Sequence, residues 1–66
     1  MAVKTIIRLK NDVVMVFDAD DEQVPEYQGS YDAVRDMILK YAPGDAVFAH
    51  WFGYSREPEI VARESW

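Results

Sequence analysis

Ser30-Tyr31-Asp32-Ala33-Val34-Arg35-Asp36-Met37-Ile38-Leu39-Lys40-Tyr41-Ala42 is the stretch that decides the fold of this chain. Tyr31, Val34, Met37, Ile38 and Tyr41 recur at three- and four-residue steps, which sets them along one stripe of an α-helix. Ser30 is placed to cap the first turn, and Asp32 sits where the helix dipole favours an acid. Asp36 and Lys40 are spaced for a favourable pair on the polar side, and Leu39 falls toward the edge of the stripe. Pro43-Gly44 stops the helix, because proline disfavours helical backbone at the residue before it.

Working toward the N-terminus, Asp18 to Gly29 is a polar connection whose apolar anchors are Val24, Pro25 and Tyr27. Before it come two β-branched runs, Val3 to Leu9 and Val13 to Phe17. Asn11-Asp12 between them tolerates left-handed backbone, so the two runs are expected to form an antiparallel hairpin. Beyond the helix, Ala46 to Phe52 reads as a third strand, Gly53 to Pro58 as a turn, and Glu59 to Trp66 as a fourth strand.

The expected architecture is therefore α+β, β-β-α-β-β, a single domain over residues 1–66. One helix packs on one face of a four-stranded, mainly antiparallel sheet. Two strand orders satisfy the connections, 1-2-3-4 and 2-1-3-4, with the strands numbered along the chain.

Sixty-six residues without a cysteine exclude disulfides and thiolate zinc sites, and one histidine leaves a structural metal dependent on carboxylates. A chain this short buries only about 60% of its unfolded surface, so tight packing or self-association has to support the fold. Twelve acids against seven bases give a net charge of −5, which repels nucleic-acid backbones and basic-anchor binding to membranes. No apolar run reaches the roughly 18–20 residues of a membrane span, and Met1 to Thr5 does not open like a secretory signal. A cytoplasmic setting is expected.

Chemistry-bearing residues are sparse. Asp18, Asp20, Asp21 and Glu22 form the densest charge cluster, and hard cations take clustered carboxylates. Asp18, Asp20 and Glu22 are spaced like the first ligands of a calcium loop. Gln23, however, stands where its glycine belongs, and Gly29 where its bidentate glutamate belongs. The cluster reads first as a solvated loop guarding a strand end, and only second as a cation site. His50 lies mid-strand with Phe48 and Phe52 on its face and no nucleophile beside it, which indicates a packed or rim position. Gly29, Gly44 and Gly53 each sit at an element boundary and make no phosphate cradle. No catalytic residue and no cofactor is expected.

The aromatic residues carry more information. One helix covers one sheet face, yet the second and third strands are apolar on both. Val14 and Val16 oppose Val13, Met15 and Phe17, while Phe48 and Phe52 oppose Val47 and Trp51. Either the long loop and the tail fold over the second face, with Tyr27 and Trp66 closing it, or that face is an interaction surface. His50, Trp51, Tyr54 and Trp66 are the candidate interaction residues.

Met15-Val16-Phe17-Asp18, Val24-Pro25-Glu26-Tyr27-Gln28-Gly29 and Arg63-Glu64-Ser65-Trp66 resemble segments of a family of short uncharacterised bacterial proteins, along the whole chain. The resemblance implies a bacterial cytoplasmic setting and an extended tail, and it implies no mechanism. The residues point first to a non-enzymatic interaction, accessory or regulatory module, with a protein partner or a weak homodimer. A small-ligand or divalent-metal domain using loop 18–22 is the alternative, and an acidic decoy imitating nucleic acid is third.

Overall fold

A computed structural model describes residues 3–53 and 56–66. Two β-branched runs joined by a tight turn open the chain, as β1 (Val3–Leu9) and β2 (Val13–Asp18). Asp12 takes the left-handed conformation at φ 60°, its N–H donating to the Leu9 carbonyl at 3.0 Å. Asn11 Oδ1 accepts from the Val13 amide, an Asx contact that sets the hairpin turn.

A bulge between Val3 and Thr5 breaks the alternation of β1. It lets Val3 and Ile6, an odd number of residues apart, both enter the core.

The sheet is mixed and has five strands in the order β3-β2-β1-β4-β5. β3 is the two-residue Gly29–Ser30, β4 is Val47–Trp51 and β5 is Glu59–Val61. α+β therefore holds, and the four-stranded expectation is corrected by β3, whose two residues pair with Val13 and Val14. Leaving β3 aside, the order is the second of the two expected ones. Its central pair, β1 with β4, runs parallel, Ile6 facing Phe48 across the ladder.

α1 (Tyr31–Tyr41) begins after Ser30, whose side chain makes no capping bond, and buries Val34 and Ile38. Tyr31, Met37 and Leu39 pack more loosely on the same core. Tyr41, assigned to the stripe from its spacing, is 60% exposed, and Leu39 takes the packed place instead. Asp36 contacts Arg35 at 2.9 Å, not the Lys40 that its spacing favoured.

Only the first part of the tail is a strand. After Val61 it turns through a 3-10 segment, Arg63–Ser65, and returns beneath the helix. There Trp66 is 4% exposed, edge-on to Tyr31 and Phe48 at 5.2 and 5.1 Å between ring centroids. Its indole N–H donates to the Ala49 carbonyl at 3.1 Å. Arg63 fastens the same return, donating to the Leu39, Ala42 and Pro43 carbonyls at 3.3, 3.3 and 2.6 Å. Those carbonyls lie at the negative end of the helix, where a cation is best placed.

Val24, fully buried in the long connection, and Tyr27, in the 3-10 turn Pro25–Tyr27, complete the core.

Candidate interaction surface

Because side chains alternate along a strand, the register assigns every sheet residue to a face. Ile6, Val16 and Phe48 are aligned across the strands beneath α1, and all three belong to the core. Their immediate neighbours point the other way. On that second face β1 places Thr5, Ile7 and Leu9, and β2 places Val13, Met15 and Phe17. β4 adds Val47, Ala49 and Trp51, and Ile60 of β5 stands opposite Ala49. None of these ten positions carries a charge.

α1, Tyr27 of the first 3-10 turn and Trp66 after the second all pack on the core side. Tyr27 and Trp66 therefore do not close the second face. Ile7 and Ala49 at its centre are screened by their neighbours, at 7% and 1% exposure, though neither belongs to the core cluster. At its margins Val13, Trp51 and Ile60 are 38%, 37% and 73% exposed. They are three of the four large apolar side chains exposed among the described residues. A shallow cleft of about 610 Å³, lined by Leu9, Lys10, Asn11, Trp51 and Gly53, lies at the end of this face near the hairpin turn.

Of the four residues that the sequence pointed to, Trp51 lies on this face. Tyr54 lies outside the described residues. Trp66 is a core residue, because the tail turns under the helix instead of continuing as a strand. His50 is on the helix side, half-buried and stacked on Phe52 at 4.8 Å. Its Nε2 lies 3.4 Å from the Trp66 main-chain oxygen.

That oxygen also accepts from Arg8 Nη1 at 3.1 Å and from the Tyr31 hydroxyl at 3.0 Å. The Tyr31 hydroxyl in turn accepts from Arg35 Nε at 3.2 Å. This bond, with Asp36 alongside, raises the Arg35 pKa above its ordinary value. Arg8 further lies 3.6 Å over the Tyr31 ring and pairs with Asp12. The register sets Arg8 and Glu59 on either side of His50. The hydrogen-bond-distance contact of the imidazole is nevertheless the Trp66 oxygen, so these polar groups hold the tail in place. An open groove runs beside them, lined by Tyr31, Arg35, Leu39, Arg63 and Trp66 among others.

In the acidic loop, Asp18 Oδ1 accepts from the amides of Asp20 and Glu22 at 2.9 and 3.0 Å. Asp21 adopts φ 61° within that turn. Among the described residues no group of three or more His, Cys, Asp or Glu side chains is placed to hold a metal ion.

Sequence reasoning identified Trp51 and the two-sided apolar character of the strands. It missed Val13 and Ile60 as surface residues, and Arg8 and Arg63 as the clamps of the tail. The alternation of Val13 with Val14 carried half of that signal. The remainder needed the strand order.

Among the described residues, no helix is long and apolar enough to cross a membrane. Comparison with protein-family models, with curated proteins and with solved structures found no match.

Proposed function

We propose that the chain is a non-enzymatic protein-interaction module of a bacterial cytoplasm, an accessory or regulatory component that presents its helix-free sheet face to a protein. The observation that carries this reading is the composition of that face: ten uncharged strand positions with Val13, Trp51 and Ile60 exposed at the margins. A sheet with one face in water ordinarily alternates apolar and polar residues along its strands. Here β2 reads apolar on both sides. Contiguous apolar surface of this kind marks contact sites, and Trp is enriched among their anchors. The alternative of a cation site in loop 18–22 has no specific observation in its favour, since the Asp18 carboxylate is taken up by backbone amides of its own turn.

The test is photo-crosslinking in living cells. A photoreactive residue at Val13 or at Ile60 is expected to give covalent protein adducts, and one at Tyr41 on the helix is expected to give none. Tyr41 is a fair control because it too is large and exposed. Adducts from Tyr41 alone, or from no position, would overturn the reading.

A further inference from the structure

The geometry points to the groove between α1 and the Arg63–Trp66 return as a binding site for a small organic anion, a ring bearing one carboxylate. This goes beyond the reading just proposed, because the groove lies on the helix side of the sheet and its test leaves the other face untouched.

The groove encloses about 650 Å³, within the roughly 300–1,000 Å³ of small-molecule sites. Tyr31, Arg35 and Leu39 form one wall, at four-residue steps along a single stripe of α1. At 1.5 Å per residue that wall is about 12 Å long, room for one ring and its acid group. Arg63, Glu64, Ser65 and Trp66 form the other wall.

Charge selects the occupant. The chain carries −5, yet three of its seven basic residues gather here. Arg8 lies over the Tyr31 ring beside the groove and is neutralised by Asp12. Arg35 and Arg63 line the groove itself, two cations against the one anion Glu64. A single negative charge balances that excess.

Donors remain to receive it. Arg35 gives Nε to the Tyr31 hydroxyl and Nη1 to Asp36, and Arg63 gives both Nη atoms to carbonyls at the helix end. Among the described residues, Arg35 Nη2, Arg63 Nε and the Ser65 hydroxyl keep no hydrogen-bond partner. No described side-chain nitrogen or oxygen is both buried and unpartnered, so these donors are open to solvent. The Tyr31 bond fixes the Arg35 fork before a ligand arrives, which lowers the ordering cost of a charge-assisted contact. Tyr31, Leu39 and Trp66 supply the apolar lining that a ring uses and a bare inorganic anion does not.

NMR titration of the isotope-labelled chain with phenylacetate, phenylacetamide, acetate and inorganic phosphate tests this. Phenylacetate is expected to shift the Arg35, Leu39 and Ser65 amides saturably, with a Kd below about 5 mM. The other three are each expected to bind at least about fivefold more weakly. Failure of phenylacetate to saturate overturns the site, as does equal binding of phenylacetamide or of phosphate. Arg35→Gln is expected to raise the phenylacetate Kd at least about fivefold. Lys40→Gln removes the same charge from the same helix and is expected to stay within about twofold. Equal weakening by both would reduce the effect to net charge and overturn the assignment. Glu64→Gln is expected to tighten binding about two- to threefold by removing a like charge, and weaker binding would overturn the anion as occupant. The Arg35 side chain is 48% exposed and bonds to Tyr31 and Asp36 alone, and circular dichroism verifies that Arg35→Gln is folded. Should that variant unfold, the pattern of shifts in the parent decides by itself: shifts confined to the groove sustain the site, and shifts elsewhere overturn it.

Discussion

Replacing Trp66 by alanine removes the side chain on which the tail, the helix and β4 converge. The indole is 4% exposed, contacts two aromatic rings edge-on and donates its N–H to the Ala49 carbonyl. Truncating a buried Trp to Ala costs about 3–5 kcal/mol through lost transfer energy and the cavity left behind. Loss of the Ala49 bond adds about 1 kcal/mol. A domain of 66 residues has roughly 3–10 kcal/mol of stability in all. Trp66→Ala is therefore expected to remove half or more of it. For a domain this small that is a fall in Tm of about 20 °C, or unfolding at room temperature. Trp66→Phe keeps an aromatic ring but no N–H, and its cost is expected to be about 1–2 kcal/mol. Trp51→Ser, at a site already 37% exposed, is expected to cost less than half as much as Trp66→Ala. Urea unfolding followed by far-ultraviolet circular dichroism measures all three on one scale. A loss of under about 1 kcal/mol in Trp66→Ala would refute the placement of Trp66 in the core, and a greater loss in Trp51→Ser would exchange the roles of the two tryptophans.

Three further expectations follow from the packing. Arg63→Ala leaves the Leu39, Ala42 and Pro43 carbonyls without their clamp and is expected to cost about 1–3 kcal/mol in chemical denaturation; Arg63→Lys is expected to recover less than half, since one ammonium cannot reproduce a planar fork. Tyr41→Ser is expected to stay within about 0.5 kcal/mol of the parent and Leu39→Asp to cost several times more, so an equal response in thermal melts would reverse the assigned helix face. A chelator is expected to leave Tm unchanged, because the Asp18 carboxylate is held by the Asp20 and Glu22 amides; a fall of several degrees would make loop 18–22 a structural cation site.

What was legible in the sequence follows from how far each signal reaches. The hairpin depends on Asn11 and Asp12 acting within four residues, and its alternation is equally local, so β1 and β2 appeared with their turn. The helix was legible for the same reason, but its exposed side was not. Tyr41 lies within about 20° of Val34 around the helix axis, yet a shared angle buries a side chain only where a neighbour extends that far along the axis. The Arg63–Trp66 return supplies a neighbour beside Leu39 instead. Trp66, read either as an interaction residue or as closing the second face, packs on the helix side instead; Ile60 and Val61 favour extended backbone, and no local cue marks the turn at Arg63. Strand order, and with it the full membership of the helix-free face, depends on β1 meeting β4 across most of the chain. A single sequence encodes that pairing only through apolar runs that fit several partners.

The central parallel pair also shapes how the domain is made. The β1–β2 hairpin is complete once Asp18 has been synthesised, and a hairpin closes in microseconds. Its inner edge then waits for β4, which begins at Val47. At cellular elongation rates that interval is roughly 1.5–6 s. Throughout it, β1 offers an open row of backbone donors and acceptors with Ile6 on one side and Ile7 on the other. Lys4 and Lys10, exposed at the two ends of this strand, are placed as gatekeepers against premature pairing between nascent chains. Their removal is expected to lower the yield of soluble protein while leaving the melting temperature of the finished domain where it was.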